Sequence, residues 1–114
     1  MSILSDVKTI LSVLDTGFDA QILAEIKAVQ SRAVEIGVYE FEDISIDPET
    51  DWPEFTDSQI IADLIVAYFT TSVRVVFNPP PMVSMMDALN RRIGLYEQAI
   101  MLERSGYTDE EPIE

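Results

Sequence analysis

Cysteine and histidine are both absent from this chain of 114 residues. The lack of cysteine excludes a disulfide framework, a thiolate nucleophile and a cysteine-ligated metal site. The lack of histidine removes the side chain that most often acts as a general base or as a neutral metal ligand. The 4 glycines form no phosphate-binding loop. The sequence therefore predicts a protein with no catalytic residues, no metal ion and no cofactor.

Positive charge is also scarce, since 7 lysines and arginines stand against 21 aspartates and glutamates, for a formal net charge of -14. A surface of this charge repels nucleic acid and anionic membranes. Apolar residues nevertheless make up 47% of the chain. We therefore expect the chain to fold around one core as a single domain rather than to stay disordered.

Membrane-directing segments are not apparent in the sequence. Met1–Asp6 has no basic region and no small-residue cleavage site, so it does not resemble a secretory signal. The longest largely apolar run, Leu64–Val73, lies between Asp63 and Arg74 and is too short to cross a bilayer. These features predict a soluble, cytoplasmic protein.

The N-terminal third of the chain has the apolar spacing of two helices. Apolar residues recur at helical intervals over Ile3–Leu14, where Ser2 or Ser5 is the expected N-cap and Gly17 the expected end. A second helix is predicted from Asp19, with Gly37 just beyond its C-terminus. Its apolar face consists of Ile22, Leu23, Ile26, Val29, Ala33 and Ile36. The two helices are expected to form a short hairpin.

The next segment, Val38–Phe55, has a different pattern. Tyr39 and Phe41 alternate with acidic residues, and Ile44 and Ile46 then alternate in the opposite register. This alternation favours either an extended acidic arm or loop, or a short strand with a bulge near Asp43. A turn is predicted at Asp47-Pro48 and a loop through Trp52-Pro53.

A third, long helix follows this segment. Thr56–Gln59 matches a capping box, and the residues after it are apolar nearly all round up to Val76. A helix that is apolar on every side belongs in the centre of a domain. It must end near Phe77, because the sequence Asn78-Pro79-Pro80-Pro81 cannot continue a helix.

A fourth helix is predicted to begin after the prolines and to end at Gly106. Ser84 and Asp87 are its candidate caps. Its apolar stripe is Leu89, Ile93, Tyr96 and Ile100, widened by Leu95, Ala99 and Leu102. The fold is therefore expected to be mainly α, a small bundle of about four helices in two hairpins. Residues 1–106 are expected to form the domain, and residues 107–114 are expected to form a flexible acidic tail.

Every charged residue between Arg32 and Arg74 is acidic, which leaves three interpretations open. The first is a solvated acidic loop that keeps the protein soluble. The second is a calcium site, but Asp47-Pro-Glu-Thr-Asp51 lacks the glycine and the distal glutamate of a calcium loop. The third is acid–base chemistry by Asp47 and Glu49, for which the sequence indicates no pocket.

Two smaller clusters are ambiguous. Arg91-Arg92 is the one pair of adjacent basic residues, and on a helix the two side chains point about 100° apart. This pair is expected to bind acidic residues within or between subunits, with a phosphate contact as the alternative. Met82, Met85 and Met86 are either core filler at a helix start or a flexible contact surface for a partner.

The order of these elements resembles that of the head-to-tail connector (adaptor) proteins of long-tailed bacteriophages. The resemblance is carried by an apolar helix, the sequence Val-Arg-Val-Val-Phe-Asn-Pro-Pro at 73–80, and a helix with Leu-Tyr-Glu-Gln at 95–98. The elbow of that family often reads Phe-Asp-Pro-Pro. This chain has asparagine at position 78 and adds Pro81. The resemblance covers about Ile3–Glu103.

The resemblance implies a structural protein of the virion neck, made in the host cytoplasm and present as a homo-oligomeric ring of about twelve copies. Such a ring lies between the portal protein and a tail-side neck or stopper protein. It extends the DNA channel, and DNA passes through without specific binding because acidic walls repel phosphates. No membrane is involved.

The resemblance also suggests where contacts lie. The tail from Tyr107 and the segment Val38–Phe55 are the expected contacts to the portal and the tail-side protein. The expected subunit or partner interface comprises Arg74, Arg91, Arg92, Tyr107, Tyr39, Phe41 and Trp52. The expected channel-facing acids are Glu40, Glu42, Asp43, Asp47, Glu49 and Asp51.

Two other classes of protein fit the composition. One is an acidic DNA mimic that inhibits a nucleic-acid-binding enzyme, which needs carboxylates spaced like phosphates on a rigid surface. The other is a small helical regulatory module. A mimic stays monomeric or dimeric and competes with DNA for its enzyme, whereas a connector assembles into rings on a portal.

Overall fold

The computed structural model of the chain describes residues 2–55 and 59–110, with residues 105–110 described by their backbone alone. Within these residues the α-helices are α1 (Ile3–Leu11), α2 (Asp19–Glu35), α3 (Gln59–Phe77) and α4 (Val83–Glu110). Short 3₁₀ turns lie at Thr16–Phe18 and Tyr39–Phe41. The described part of the chain contains no β-strand, only an isolated bridge that pairs Ser2 with Asp51. The prediction of a small, mainly α bundle is confirmed.

Helix α1 begins at the predicted cap and ends earlier than predicted. The Ser2 hydroxyl accepts a hydrogen bond from the Ser5 amide at 3.0 Å. The helix stops at Leu11 because Ser12 adopts a left-handed conformation, with φ of 62°. Gly17, the predicted end, instead lies in the following 3₁₀ turn, where the Asp15 carboxylate accepts a hydrogen bond from its amide at 2.9 Å.

Helix α2 ends as predicted, at Gly37. With a φ of 115°, Gly37 lets the Val38 amide reach the Ala33 carbonyl at 2.9 Å, while its own amide reaches the Val34 carbonyl at 3.2 Å. These two hydrogen bonds form a Schellman motif. The predicted apolar face is confirmed, because it contributes buried and partly buried side chains to the core: Ile22, Ile26, Ala33, Ile36, Leu23 and Val29.

The segment after α2 is a loop with a 3₁₀ turn, so the alternative of a strand with a bulge at Asp43 is wrong. Its packed apolar residues, Val38, Phe41 and Ile44, recur every three positions. The Phe41 amide donates to the Val38 carbonyl and the Ile44 amide donates to the Phe41 carbonyl, both at 3.3 Å. A period of three belongs to a 3₁₀ conformation, in which these side chains lie on one side. The apparent alternation of Tyr39 and Phe41 is incidental, since Tyr39 is exposed.

Helix α3 is central, as predicted, and contacts α1, α2 and α4. Its length and mean hydropathy of 1.8 are also those of a membrane-spanning helix, the one such helix among the described residues. The expectation of no membrane-length segment considered only Leu64–Val73, and it does not hold for the whole helix. Helices at the core of a bundle have the same properties, and α3 buries Ile61, Ile65, Phe69 and Val73. Of the predicted capping box Thr56–Gln59, residues 56–58 lie outside the described part of the chain.

The proline break ends α3 at Phe77, as predicted, but α4 begins without a side-chain cap from Ser84 or Asp87. Both lie inside the helix, and the Met82 carbonyl accepts hydrogen bonds from the Met85 and Met86 amides. Helix α4 also continues past Gly106 to Glu110. Glycine destabilises a helix interior by about 1 kcal/mol and ends a helix mainly where it takes a positive φ, which Gly106 does not.

The apolar stripe of α4 is narrower than predicted. Leu89 and Ile100 are buried, and Ile93 and Tyr96 pack against the core. Leu95 and Leu102, predicted to widen the stripe, are 58% and 69% exposed. The assignment of residues 107–114 to a separate flexible tail stays a prediction, and residues 111–114 lie outside the described part of the chain.

Candidate functional site

The proline elbow between α3 and α4 borders a groove on the surface of the bundle. This elbow groove has a volume of about 410 Å³ and lies between the C-terminal ends of α1 and α3 and the first turns of α4. It is lined by Ile10, Leu11, Ser12, Thr70, Thr71, Arg74, Asn78, Leu89 and Arg92. A second hollow of about 210 Å³ shares Arg74, Leu89 and Arg92 and adds Pro80, Met85 and Ala88.

Three predicted interface residues, Arg74, Arg91 and Arg92, lie at this elbow end, and all are exposed. None of the three forms an ion pair with the described side chains, those of residues 2–55 and 59–104. The remaining arginines, Arg32 and Arg104, each bind carboxylates elsewhere in the fold. The elbow end is therefore a locally positive surface on a strongly negative protein.

Apolar side chains are exposed around the elbow groove. Met82, Val83 and Met85 at the start of α4 are 58%, 77% and 45% exposed, and Val76 at the end of α3 is 58% exposed. The interpretation of Met82 and Met85 as core filler is therefore wrong. The two methionines stand on the surface because α4 begins beyond the core, and its first buried residue is Leu89.

A second charged surface is the acidic loop, which we define as residues 42–54. Its exposed acids are Glu42, Asp43, Asp47, Glu49, Asp51 and Glu54. The loop is tied to the start of α1, where the Ile3 amide donates a hydrogen bond to the Thr50 carbonyl at 2.8 Å. From α2, the side-chain amide of Gln30 donates to the carbonyls of Phe41 and Ile44 at 2.8 and 2.7 Å. The loop is thus anchored to the core on both sides.

The centre of the acidic loop is an ordered turn. The Asp47 carboxylate accepts hydrogen bonds from the Glu49 amide at 2.8 Å and the Thr50 hydroxyl at 2.9 Å. These bonds, the one from Glu49 first, lower the pKa of Asp47 below its usual range. No group of three or more potential metal-ligating side chains occurs in the part of the chain that the structure describes. The local bonding accounts for Asp47 as a turn former.

The aromatic residues predicted as interface contacts have different environments. Phe41 is fully buried, with its ring 5.0 Å from Phe69, so its placement at an exposed interface is wrong. Trp52 is partly buried 5.4 Å from Phe69, and its indole N–H donates to Asp6 at 2.7 Å. Tyr39 is 63% exposed and is available for a partner. Tyr107 lies in α4, but its side chain is outside the described part of the structure.

Glu40, predicted to face a channel, is instead half-buried and bound to Arg104 on α4. The guanidinium donates to the two carboxylate oxygens at 3.1 and 2.8 Å, and also to the Gly37 carbonyl at 3.4 Å. A bidentate pair of this kind fixes both side chains. Glu40 therefore joins α4 to the turn that follows α2.

A polar cluster that sequence reasoning missed connects three helices through Glu97 of α4. The Glu97 carboxylate accepts hydrogen bonds from Arg32 of α2 at 3.0 and 3.2 Å and from the Tyr68 hydroxyl of α3 at 2.7 Å. Arg32 also binds Glu35 at 3.0 Å. The signal for this cluster is an acid next to Tyr96 on the apolar stripe of α4, where an unpaired charge is unfavourable.

The cluster shifts the pKa of each member. Burial raises the pKa of Glu97, but the hydrogen bonds from Arg32 and Tyr68 outweigh burial and lower it overall. Burial, followed by the bond to Glu97, raises the pKa of Tyr68 well above its usual value of 10.0. The hydrogen bonds to Glu97 and then Glu35 raise the pKa of Arg32 further. The cluster is therefore a neutral tyrosine with an ionised acid–arginine pair.

These contacts hold the α3–α4 hairpin against α2, and two charged surfaces remain exposed to solvent, the elbow groove and the acidic loop. The described residues show no ion pair between these two surfaces. The groove includes the end of α1, whereas Thr50 of the loop is bonded to its beginning. An arrangement of this kind can bind partners by charge and apolar contact.

Comparison with known proteins agrees with this picture. The model of the family described as phage connector protein matches residues 3–107. No curated protein and no solved structure matches the chain. The matched region includes α1, α2, α3, the proline elbow and nearly all of α4. Because the match covers almost the whole sequence, this chain belongs to the phage connector protein family.

Proposed function

We propose that the protein is a head-to-tail adaptor that forms a ring between the portal and the tail of a long-tailed phage. The observation that carries this proposal is the family match over residues 3–107. In this function the ring has about twelve copies, in the closed cyclic symmetry common to such assemblies. It is located in the virion neck after assembly in the host cytoplasm.

The charge of the chain suits a ring that lines a DNA channel. Each subunit contributes a formal charge of -14. Acidic walls repel phosphates, whereas lysine-rich walls would bind them by releasing counterions. The channel-facing residues in this proposal are the exposed acids of the acidic loop, Glu42, Asp43, Asp47, Glu49 and Asp51. Glu40 is omitted because Arg104 binds it.

The proposed docking surfaces lie outside the core. Exposed Tyr39 and the partly buried Trp52, with the loop that carries them, are assigned to one axial partner. The C-terminal segment from Tyr107, which begins in the last turns of α4, is assigned to the other. The two partners are the portal protein and a tail-side neck or stopper protein.

The experiment that tests this function combines the purified protein with portal rings of the same phage. Electron microscopy of negatively stained particles should show additional ring density on one end of the portal. A truncated chain ending at residue 106 identifies whether the tail is needed for that contact. Bare portals, together with a compact monomer that competes with DNA for an enzyme, would overturn the adaptor and favour a DNA mimic.

A further inference from the structure

We propose that the elbow groove of one subunit binds the acidic loop of a second copy of this chain. The inference deepens the proposed function and rests on it, since it names the two surfaces that join neighbouring subunits. In this contact Glu49 and Glu54 face the neighbouring subunit rather than the channel. The channel-facing acids are then Glu42, Asp43, Asp47 and Asp51. It also makes a prediction about isolated protein in solution, which does not depend on the portal.

The first observation is the unmatched charge of the groove. Arg74 and Arg92 line both hollows at the elbow, and Arg91, at the preceding position of α4, is exposed but lines neither hollow. None of the three is neutralised by an ion pair within the described residues. Arg74 also lies in the last turn of α3, where a cation is favourable to the helix dipole. That local role leaves its guanidinium free for a carboxylate from outside.

The second observation is the mixed lining of the groove. Leu11 and Leu89 contribute an apolar floor, and Ile10 and Met85 are exposed at its edges. Guanidinium groups bind carboxylates through paired hydrogen bonds, and these bonds are stronger where apolar surface excludes water. The groove therefore favours an acidic peptide segment over a small inorganic anion.

The third observation is that the chain itself displays such a segment. The acidic loop has no lysine or arginine, and its acids are exposed. Its backbone is already fixed by the Asp47 turn, the Ile3–Thr50 bond and the amide of Gln30. A segment that is ordered before binding loses less conformational entropy in a complex.

Within one subunit the loop and groove form no ion pair, because the loop is bonded to the beginning of α1 and the groove is at its end. Helix α1 is about 13 Å long at 1.5 Å per residue. That length exceeds the Debye length of about 8 Å at physiological ionic strength. Contact between the two surfaces thus requires a second copy. Two different surfaces on one molecule produce head-to-tail association, which is the kind of contact that builds a ring when the rotation between neighbours closes.

DNA is the competing occupant of an arginine-lined groove. The overall charge of -14 opposes it, because three arginines cannot offset the field of the remaining surface at long range. An acidic loop from a second copy meets the same repulsion, but it adds complementary apolar and backbone contacts at fixed geometry. The structure therefore favours the second copy.

A charge-exchange experiment tests this contact. The groove variant R74E/R92E and the loop variant E49K/E54K each place like charges at the proposed interface. Each variant alone should associate more than about tenfold more weakly than the wild type, as expected for truncated or reversed charge pairs. The combined variant with all four changes has the wild-type net charge and should recover association. A mixture of the two variants should recover it as well, in alternating order.

Association is measured by sedimentation velocity over a concentration series, and ring formation is counted separately on portals. Gln98→Glu, which adds a charge at an exposed position of α4 that lines neither the groove nor the loop, is the control. Circular dichroism checks that each variant is folded.

Normal association of the loop variant, or failure of the folded combined variant, overturns the contact between groove and loop. If the groove variant loses binding to DNA but associates as strongly as the wild type, DNA is the occupant of the groove. That result also overturns the contact between groove and loop. If wild-type rings form on portals but the exchange fails, only this inference is lost. If portals stay bare while the exchange works in solution, only the adaptor function is lost. A wild type that associates in neither assay removes both.

Discussion

Arg32 of α2 and Glu97 of α4 are 65 positions apart in the sequence, yet the guanidinium donates two hydrogen bonds to the carboxylate, at 3.0 and 3.2 Å. The Tyr68 hydroxyl donates a third bond to the same carboxylate from α3. Helix α4 is the last element of the bundle, and its stripe packs on α3. The Glu97 cluster is a direct polar connection between α4 and α2, so it helps to fix the orientation of the hairpin that carries the elbow groove.

Substitution of Glu97 tests this role in stability. E97Q keeps the size of the side chain but loses the charge that Arg32 binds, and it should lower the free energy of unfolding by about 1 to 3 kcal/mol. Y68F removes one donor to the ionised carboxylate and should lower the free energy of unfolding by about 1.5 to 3 kcal/mol. Urea denaturation followed by circular dichroism measures both. Equal stability of E97Q and the wild type would show that the cluster is only a surface feature.

The same cluster should make stability depend on pH at both extremes. The pKa of Glu97 is lower in the folded chain than its ordinary value of 4.5. Its contribution is therefore complete above about pH 5 and is lost as the pH falls through the folded value. The pKa of Tyr68 is raised above 10.0, so its contribution is complete below that value and is lost as the pH rises above it.

The variants separate these effects from the general titration of the other acids. The stability difference between wild type and E97Q should shrink steadily between pH 5 and pH 3, in a pH series of urea midpoints. The loss of stability above pH 10 should be smaller in Y68F than in the wild type. A difference that is independent of pH for both variants contradicts the cluster as described.

The helices could be predicted from the sequence, because their information is local. The apolar face of α2 and the end of α3 at Phe77 follow from periodicity and from the prolines. The conformation of the segment after α2 is harder to predict from the sequence, because the period of three at Val38, Phe41 and Ile44 overlaps with an alternation of period two. The Glu97 cluster could not be derived from local pattern, since pairing over 65 positions depends on how the helices pack.

The sequence predicts which residues make up the two charged surfaces, but not which of them are bound to other side chains. The sequence indicates that the acids are concentrated between Arg32 and Arg74, and it identifies Arg91-Arg92 as the basic pair. It does not reveal that Arg104 binds Glu40, or that Asp47 forms a turn. Those contacts decide which acids are free for partners, and they depend on the tertiary structure.

The glycines at positions 37 and 94 provide a matched pair of substitutions. G37A should be destabilising by more than 1 kcal/mol, because alanine is strained at a φ of 115° and its Cβ would lie 3.3 Å from the Arg104 Cβ. G94A should be stabilising by about 0.8 to 1 kcal/mol, because Gly94 is inside α4 with no atom near the added methyl. Thermal unfolding distinguishes the two. A stabilising G37A would contradict the helix end described for α2.

The Glu40–Arg104 pair predicts different roles for two neighbouring acids. E40Q should lower the free energy of unfolding by about 1 to 3 kcal/mol, since it weakens a charged, bidentate contact that is partly buried. E42Q changes an exposed acid and should lie within about 0.5 kcal/mol of the wild type. Chemical denaturation of both variants and the wild type at one pH measures the difference in their free energies of unfolding. Similar stabilities would mean that Glu40 is as free as Glu42 to face a channel.

Phe41 and Tyr39 distinguish a core turn from an exposed arm. F41A should lower the free energy of unfolding by about 3 to 5 kcal/mol, because it removes a fully buried ring that contacts Phe69 and leaves a cavity. Y39A should change stability by less than about 0.5 kcal/mol, because Tyr39 is 63% exposed. If Tyr39 contacts an axial partner, the folded Y39A variant should also give less ring density on portals than the wild type. Small and equal losses of stability in the two variants would indicate that the segment is an extended arm, because no residue of such an arm is buried in the core.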